Sequence, residues 1–340
     1  MARVPGSLSQ ADLDKRAWAI KDEVQKRAIR TKLGPQHRTI WESTLEEVKA
    51  GFCEGPLTER EVDRMLGTKE WIPTERFPRE QKSKVRAVDN AAANQLNDAS
   101  SITEHLMLAS TDKNVGKIKL LKKLMEGEER ELQGWVLDEK DAYRQLAVKP
   151  EHRKYAVIIM KNPNSGKIRY FVMTGHSFGL VAAVYNYNRR SALIDEILRT
   201  VFKVPANYFY DDRYGFEPKE TAEQALEIVE KVHKWLGADY SKKKVQLSTA
   251  PTILGVKYNL PEDELEVTEQ RKKDLKEEIE GVLREGELTS GHAAKLKGKL
   301  MFAASVLWGK VGRAFLRALS ERQCTNVRET RTNEAIEEAL

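Results

Sequence analysis

Three aspartates stand where apolar segments end, in places that would let their carboxylates act together. Asp138 closes the short apolar run at 135–137, and Asp211 and Asp212 follow the aromatic run at 208–210. A tight hairpin in the second segment would carry both of its carboxylates at the tip. Magnesium ions prefer carboxylate oxygens on rigid supports, and nucleotidyl transfer uses two such ions about 3.5–4 Å apart. The pattern therefore predicts a two-metal site.

Each half of this pattern also has an ordinary interpretation. Asp138 followed by Asp141 fits the start of a short helix, where aspartate is a common cap. An Asp-Asp pair is common in turns. Two adjacent carboxylates repel each other and raise each other's pKa unless a cation compensates. The metal hypothesis thus depends on both segments occurring together and in this order.

The residues around the aspartates have the patterns of short strands. Six runs share alternating or continuous apolar residues: Lys84–Val88, Tyr155–Met160, Ile168–Met173, Asn207–Tyr210, Arg213–Phe216 and Thr252–Tyr258. The turn residues Asn-Pro-Asn-Ser-Gly at 162–166 predict a β-hairpin between the second and third runs. Another hairpin would join the fourth and fifth runs around Asp211 and Asp212.

Helical patterns lie before, within and after these strands. The runs with apolar residues at helical spacing are Ala11–Thr31, Ala182–Phe202, Thr221–Trp235, Thr268–Arg284 and Ser290–Leu307. Thr58 and Glu61 form a capping box, which predicts a short helix that ends near Gly67. From Glu321 onward the chain is polar, and we expect a loosely held tail. This order predicts an α+β centre between two helical regions.

Composition narrows the class of protein without deciding its function. The 340 residues contain 58 Lys and Arg against 52 Asp and Glu, a net charge of +6, which fits a nucleic-acid binder without establishing one. Cys53 and Cys324 have no CxxC partner, so a disulfide framework or a zinc site is not expected. No apolar run reaches the ~20 residues that span a bilayer, and the N-terminus lacks an apolar signal core. We expect a soluble intracellular protein without a membrane partner.

From about residue 82 to residue 258, the motifs and their order resemble the reverse transcriptases of retroelements. The matching segments are Lys84-Val85-Arg86-Ala87-Val88-Asp89 with Leu96-Asn97, Leu137-Asp138-Glu139-Lys140-Asp141-Ala142-Tyr143, Ser177-Phe178-Gly179-Leu180, Phe209-Tyr210-Asp211-Asp212, and Lys242-Lys243-Lys244 before Leu254-Gly255. Five motifs in the family's order make the resemblance specific. The later helical segment, with Leu296-Lys297-Gly298-Lys299-Leu300, resembles tyrosine-recombinase and pararetrovirus-like elements.

The resemblance implies an α+β fold of the polymerase right-hand type, with fingers, palm and a partial thumb or connection. The implied domains are a helical N-terminal extension over 1–69, fingers and palm over 70–260, a helical thumb or connection over 261–320, and a polar C-terminal tail over 321–340. Such elements continue into an RNase H domain. No later acidic set resembles one here, so we expect that region to be absent from this chain.

The resemblance also implies a function and a cofactor. The chain would be an RNA-directed DNA polymerase that adds dNTPs to a primer 3′-end on an RNA or DNA template. Asp138, Asp211 and Asp212 would hold two Mg²⁺ ions, with Mn²⁺ as a substitute, and the backbone carbonyl of Glu139 could add a ligand. Two alternatives stay open: a binding remnant that has lost catalysis, and a viral-type RNA polymerase on the same palm.

Further residues would bind the nucleotide if the resemblance holds. They are Lys82, Lys84, Arg86, Tyr143, Phe178, Gly179 and Lys244. Arg86 would grip the triphosphate with a fork of donors that lysine lacks. Tyr143 would lie below the sugar and exclude a 2′-hydroxyl, which favours dNTPs over NTPs. Lys244 would attract the departing pyrophosphate or protonate it.

The sequence departs from the family pattern at three positions. Ser177 stands where a proline usually precedes Phe178, and Val184 stands where a second proline is common. Because proline stiffens a turn, their loss predicts a looser nucleotide pocket. Arg213 replaces an apolar residue after the acidic pair, and it could compete with metal or pair with a template phosphate.

Overall fold

The protein is described here from a computed structural model, which covers residues 6–81, 84–126, 130–325 and 330–340. Lys82 lies outside the described residues. The α-helices of the described residues are α1 Gln10–Arg30, α2 Pro35–Lys49, α3 Glu59–Leu66, α4 Thr111–Leu124, α5 Val181–Thr200, α6 Lys219–Trp235, α7 Glu269–Glu285, α8 Ser290–Ala304, α9 Arg317–Cys324 and α10 Glu334–Ala339. Short 3-10 helices lie at Ala142–Gln145, Pro150–Tyr155, Lys242–Lys244 and Trp308–Leu316.

The strands are short, as the sequence patterns predict. They are β1 Cys53–Leu57, β2 Pro73–Gln81, β3 Lys84–Asp89, β4 Leu132–Asp138, β5 Val157–Lys161, β6 Ile168–Met173, β7 Ala206–Phe209, β8 Asp212–Pro218, β9 Gln246–Ser248, β10 Thr252–Ile253, β11 Val256–Asn259 and β12 Glu264–Val267. Within the described residues, no helix combines the length and the apolar character that a bilayer crossing requires.

The chain divides into two compact units, and each is built from several segments. The first contains Met1–Met107, Glu139–Ile194 and Leu236–Asp239. The second contains Leu108–Asp138, Asp195–Trp235 and Tyr240–Leu340. Asp138 and Glu139 are adjacent in sequence and belong to different units.

The first unit is built on a five-stranded sheet with the order β1-β6-β5-β2-β3. Among these five described strands, only β2 and β5 pair in parallel, and β5 and β6 form the predicted hairpin. Side chains alternate between the two faces of a strand, and this alternation separates two cores. Ile159 and Val172 pack in the core that contains α1, whereas Ile158 and Phe171 pack with Trp41 of α2. Both faces of the sheet are therefore covered by helices from the N-terminal region.

The second unit is built on a four-stranded antiparallel sheet with the order β7-β8-β4-β9. The predicted hairpin around the Asp-Asp pair is confirmed as β7 and β8. A smaller sheet follows with the order β10-β11-β12. The helices after it share a core that includes Leu275, Leu296 and Leu319.

Two sequence expectations about the second unit are wrong. The run Thr252–Tyr258 is two strands rather than one, because the chain reverses at Leu254 and Gly255, which have φ values of 54° and 77°. The polar tail after Glu321, which was expected to be loosely held, contains a helix that packs against the C-terminal core. Asn333 caps α10, and Ile336 is only 2% exposed within the core of the C-terminal helices. Ile336 and the partly buried Leu340 pack in that core and anchor an otherwise polar segment.

Glu217, near the end of β8, should make the stability of the protein depend on pH. Burial raises the pKa of its carboxyl from the ordinary 4.5 to about 7, although a hydrogen bond from Thr221 lowers it. The folded state binds this proton more tightly than the unfolded state does. The contribution of the protonated Glu217 to stability is therefore fully present below about pH 4.5 and is lost as the pH rises to about 7. We expect Glu217→Gln to stabilise the protein by about 1–2 kcal/mol at pH 8, after allowance for partial exposure, and not at pH 4. Urea denaturation at both pH values measures this, and equal stability at pH 8 would contradict it.

Candidate active site

The three aspartates singled out from the sequence come together at one end of the four-stranded sheet. Asp138 is the last residue of β4 and pairs directly with Asp212, the first residue of β8. Asp211 lies in the turn between β7 and β8, where Phe209 pairs with Asp212. That register leaves a turn of two residues, and Tyr210 adopts the positive φ of 54° that tight hairpins need. Strand pairing thus brings together residues that are more than seventy positions apart in sequence.

Burial and the neighbouring carboxylates change the titration of Asp212. Burial, and then the charges of Asp211 and Asp138, raise the pKa of Asp212 to about 6, while Lys244 lowers it. The Lys244 ammonium donates a hydrogen bond to Asp138 Oδ2 over 2.9 Å. A cation therefore already compensates part of the negative charge. The remaining repulsion favours a further positive ion at this place.

The donor set fits a divalent ion, although the site is not preassembled. Across the described ranges, no group of three or more His, Cys, Asp and Glu side chains has the geometry of a finished metal site. The carboxylates that crowd Asp212 are the oxygen ligands that Mg²⁺ prefers. Lys244 occupies one oxygen of Asp138, and a metal ion would compete with it for that carboxylate.

Arg213 does not take part in this cluster, so the expectation that it competes with metal or pairs with template phosphate is wrong. It is 1% exposed, and its Nη1 lies 3.8 Å from Asp195 Oδ1. Its guanidinium also faces the ring of Tyr208 at 5.8 Å. Successive residues of a strand point to opposite faces, so the neighbour of Asp212 points away from it.

In the first unit, the structure brings together three residues that sequence reasoning assigned to the nucleotide. The Tyr143 ring meets the Phe178 ring edge-on, with centroids 5.1 Å apart, and meets the Tyr187 ring at 5.3 Å. Gly179 has a φ of +90°, and a Cβ there would collide with the Asp89 carbonyl oxygen. Only glycine fits this close approach. Phe178 remains 39% exposed, so its ring can still contact a ligand.

Glu139 has a buried side chain with partners of its own. Its Oε2 accepts a hydrogen bond from the Tyr187 hydroxyl at 2.7 Å and lies 3.8 Å from Arg190 Nη2. The carboxylate is thus engaged within the first unit. That the backbone carbonyl of Glu139 is a metal ligand stays a prediction.

Lys84 and Arg86, which the sequence predicts to bind the triphosphate, lie on β3. Lys84 and Arg86 are exposed, and Arg86 pairs across the strands with Arg79 of β2. Like charges directly opposite each other destabilise a strand pair, so an anion between the two arginines would stabilise it. Arg79 was missed from the sequence, since only the register of the two strands reveals it.

Asn97 is a second residue whose role the motif alone did not show. Its side-chain amide donates to the Gly179 carbonyl at 3.0 Å, and its oxygen accepts from the Val181 backbone at 2.8 Å. It therefore clamps the segment that contains Phe178 and Gly179. The Leu-Asn pair at 96–97 was the available signal.

Comparisons with known proteins bear on the family and the fold of this chain. Residues 79–260 match the family model described as "Reverse transcriptase (RNA-dependent DNA polymerase)". No curated protein sequence matches the chain significantly. The fold is similar to a solved structure described as "Structure of the foamy viral protease-reverse transcriptase dRH in complex with ds DNA", with a TM-score of 0.63 and 13% sequence identity.

That likeness covers 91% of this chain and 48% of the foamy viral chain, so this chain spans about half the length of its neighbour. It confirms the expected fold class, an α+β fold of the polymerase right-hand type. The family model covers just over half of the 340 residues, and its range includes all three aspartates. The chain therefore belongs to the reverse transcriptase family.

Proposed function

We propose that this chain is an RNA-directed DNA polymerase that adds dNTPs to a primer 3′-hydroxyl by two-metal-ion catalysis. The observation that carries the proposal is the direct pairing of Asp138 with Asp212, next to the turn that contains Asp211. Burial, together with the charges of Asp211 and Asp138, raises the pKa of Asp212 to about 6. Membership of the reverse transcriptase family supplies the reaction class.

The three aspartates would hold two Mg²⁺ ions, with Mn²⁺ as a substitute. Bound there, the ions would lower the pKa of the primer hydroxyl and neutralise charge on the leaving pyrophosphate. Lys244 would exchange its contact with Asp138 for the pyrophosphate, to which it offers a mobile point charge. Lys84 and Arg86, with Arg79 beside them, would bind the phosphates of the incoming nucleotide.

The partners proposed are a primed RNA or DNA template and dNTPs. The foamy viral neighbour was solved with double-stranded DNA, and the net charge of +6 suits a polyanionic partner. We further propose an origin in a retrotransposon-like element, nearest the tyrosine-recombinase and pararetrovirus-like group. The domain limits at 69, 260 and 320 and the intracellular location belong to the same proposal.

Extension of a labelled DNA primer on an RNA template tests this function. With Mg²⁺, the protein should add the complementary dNTP and stop when EDTA is added. Binding of the primer–template without extension, under both Mg²⁺ and Mn²⁺, would favour the binding remnant. Extension with NTPs in preference to dNTPs would favour an RNA polymerase.

Tyr143 should govern the choice between dNTPs and NTPs. Its ring is held edge-on between two aromatic rings, so its position is well defined. We expect Tyr143→Ala to lower the preference for dNTPs by about 10- to 100-fold, because a steric gate against one hydroxyl is removed. Competitive single-nucleotide incorporation measures the ratio. Tyr143→Phe keeps the ring and should keep the preference, and an unchanged ratio in the alanine variant would exclude this role.

A further inference from the structure

A buried network of two arginines and two carboxylates lies in the first unit. Arg76 of β2 binds Asp89 through two hydrogen bonds of 2.7 and 3.1 Å. Its Nη1 also donates to Glu47 Oε2 of α2 at 2.8 Å. Arg144 reaches the same two acids, with Nη2 3.1 Å from Glu47 and 3.4 Å from Asp89. Three of these side chains are no more than 2% exposed, and that of Glu47 is 18% exposed.

A gain in stability does not by itself explain why these four charged side chains are buried together. Burial removes water from four charges, and their mutual attraction often does no more than offset this loss. Well-packed apolar residues in the same volume would serve stability at least as well. The fixed geometry of paired guanidinium and carboxylate groups, by contrast, holds their neighbours in defined positions.

The neighbours of this network are the residues assigned to the nucleotide. Arg144 directly follows Tyr143, its Nη1 donates to the His176 carbonyl at 2.8 Å, and its guanidinium lies 4.9 Å from the Phe178 ring centroid. Asp89 meets Gly179 through its backbone carbonyl, which leaves no room for a Cβ. Phe178 and Gly179 therefore contact members of the network, and Tyr143 is bonded to one in the chain.

Backbone contacts tie the same segments to the N-terminal region. The His176 amide donates to the Tyr143 carbonyl at 3.2 Å. Two residues earlier, the Thr174 amide donates to the Phe52 carbonyl at 2.9 Å. Glu47, Phe52 and Arg76 all precede the residues that match the family model.

We propose that Glu47, Arg76, Asp89 and Arg144 are positioning residues, which hold Tyr143 and Phe178 in the geometry that selects the incoming nucleotide. This inference rests on the proposed function and adds to it a role for the N-terminal region. The segment 35–76 would thus be part of the nucleotide-selecting machinery. A purely structural network would change the melting temperature alone.

Glu47→Gln tests the proposal because it removes one charge and keeps the size of the side chain. We expect the KM for dNTP to rise about 10-fold and the preference for dNTP over NTP to fall about 10-fold, since small displacements of positioning groups have effects of this order. The value of kcat should change less, because the three aspartates are untouched. Arg144→Lys keeps the charge without the fork, and it should have the same effect.

A matched control separates positioning from stability. Ile20 lies on α1, outside the segment 35–76, in the apolar core that covers the other face of the sheet, and is 5% exposed. Ile20→Val should lower the melting temperature by about 2–4 °C through lost packing, yet leave KM and nucleotide preference unchanged. All assays are made well below the lowest melting temperature, so that every variant is folded.

Nucleotide affinity on a primer that ends in a dideoxynucleotide gives a second readout, because binding there needs no chemistry. A Glu47→Gln protein that melts earlier but keeps native KM, affinity and preference would overturn the inference while the polymerase proposal stands. A native protein that binds and discriminates nucleotides without extending primers would overturn the polymerase proposal and leave the inference. A native protein that binds no nucleotide would overturn both.

Discussion

Replacing Asp212 with asparagine should lower dNTP incorporation by on the order of 10³-fold or more. We propose Asp212 as a direct metal ligand, and even residues that only orient such ligands cost about 10- to 100-fold when they are lost. The amide keeps the size of the carboxyl and removes its charge. Asp212 pairs with Asp138 and adjoins Asp211, so no nearby acid can replace it without moving the strand. Steady-state incorporation on a primed RNA template measures the loss.

The same substitution should stabilise the protein in metal-free buffer. The pKa of Asp212 is raised from 3.8 to about 6, so its charged form weakens the fold above that pH and has no such effect below about pH 3.8. We expect a gain of about 1–2 kcal/mol at pH 8 and none near pH 3.5, after allowance for partial exposure. Thermal denaturation in EDTA measures this. Loss of activity with gained stability would separate a functional acid from a structural one.

Asp141 provides the matched control for this experiment. It lies three residues after Asp138, is exposed, and has a φ of 51°. Asparagine tolerates that left-handed conformation well, so Asp141→Asn makes the same chemical change nearby without strain. We expect it to keep native activity. Equal losses in Asp141→Asn and Asp212→Asn would show that charge in the region, and not metal ligation, is what matters.

Trp135→Ala should have the largest effect on stability, a loss of about 3–5 kcal/mol in the free energy of unfolding. Trp135 is fully buried on β4, three residues before Asp138. Its ring fills the space over Gly215 of the neighbouring strand, where any Cβ would collide with it. Deleting the ring leaves a cavity that a paired strand cannot close. Urea denaturation of the two proteins gives the difference.

Two further variants test the cause of that loss. Leu247 pairs with Trp135 across the strands from β9 and is 38% exposed. Leu247→Ala should cost much less, because the site remains open to water. Trp135→Phe keeps most of the packing and should cost less than half as much as the alanine variant. A small loss in Trp135→Ala would mean that β4 relaxes around the gap.

Local sequence patterns were sufficient to predict several elements, including the hairpin that carries Asp211 and Asp212. The Thr58 and Glu61 capping box predicted α3, which the structure confirms together with the left-handed Gly67 that ends it. The hairpin around Asp211 was predictable because turn residues separate two apolar runs. These signals act over a few residues, so they can be read from one segment alone.

Contacts between distant segments could not be read in this way. Glu47 and Arg144 are 97 positions apart, and nothing in either segment identifies its partner. Arg79 became visible only through the register of β2 and β3. The orientation of Arg213, in contrast, could have been predicted from the sequence, because strand alternation places it on the opposite face from Asp212.

We infer that the β7–β8 hairpin carries the catalytic centre of a polymerase. Incorporation of dTTP on poly(rA) primed with oligo(dT), with Mg²⁺, tests it most directly when the native chain is compared with Asp211→Asn. We expect incorporation by the native chain and its loss in a variant that still folds and binds the primer–template. No incorporation by a folded native chain that binds the primer–template, or undiminished incorporation by Asp211→Asn, would contradict it.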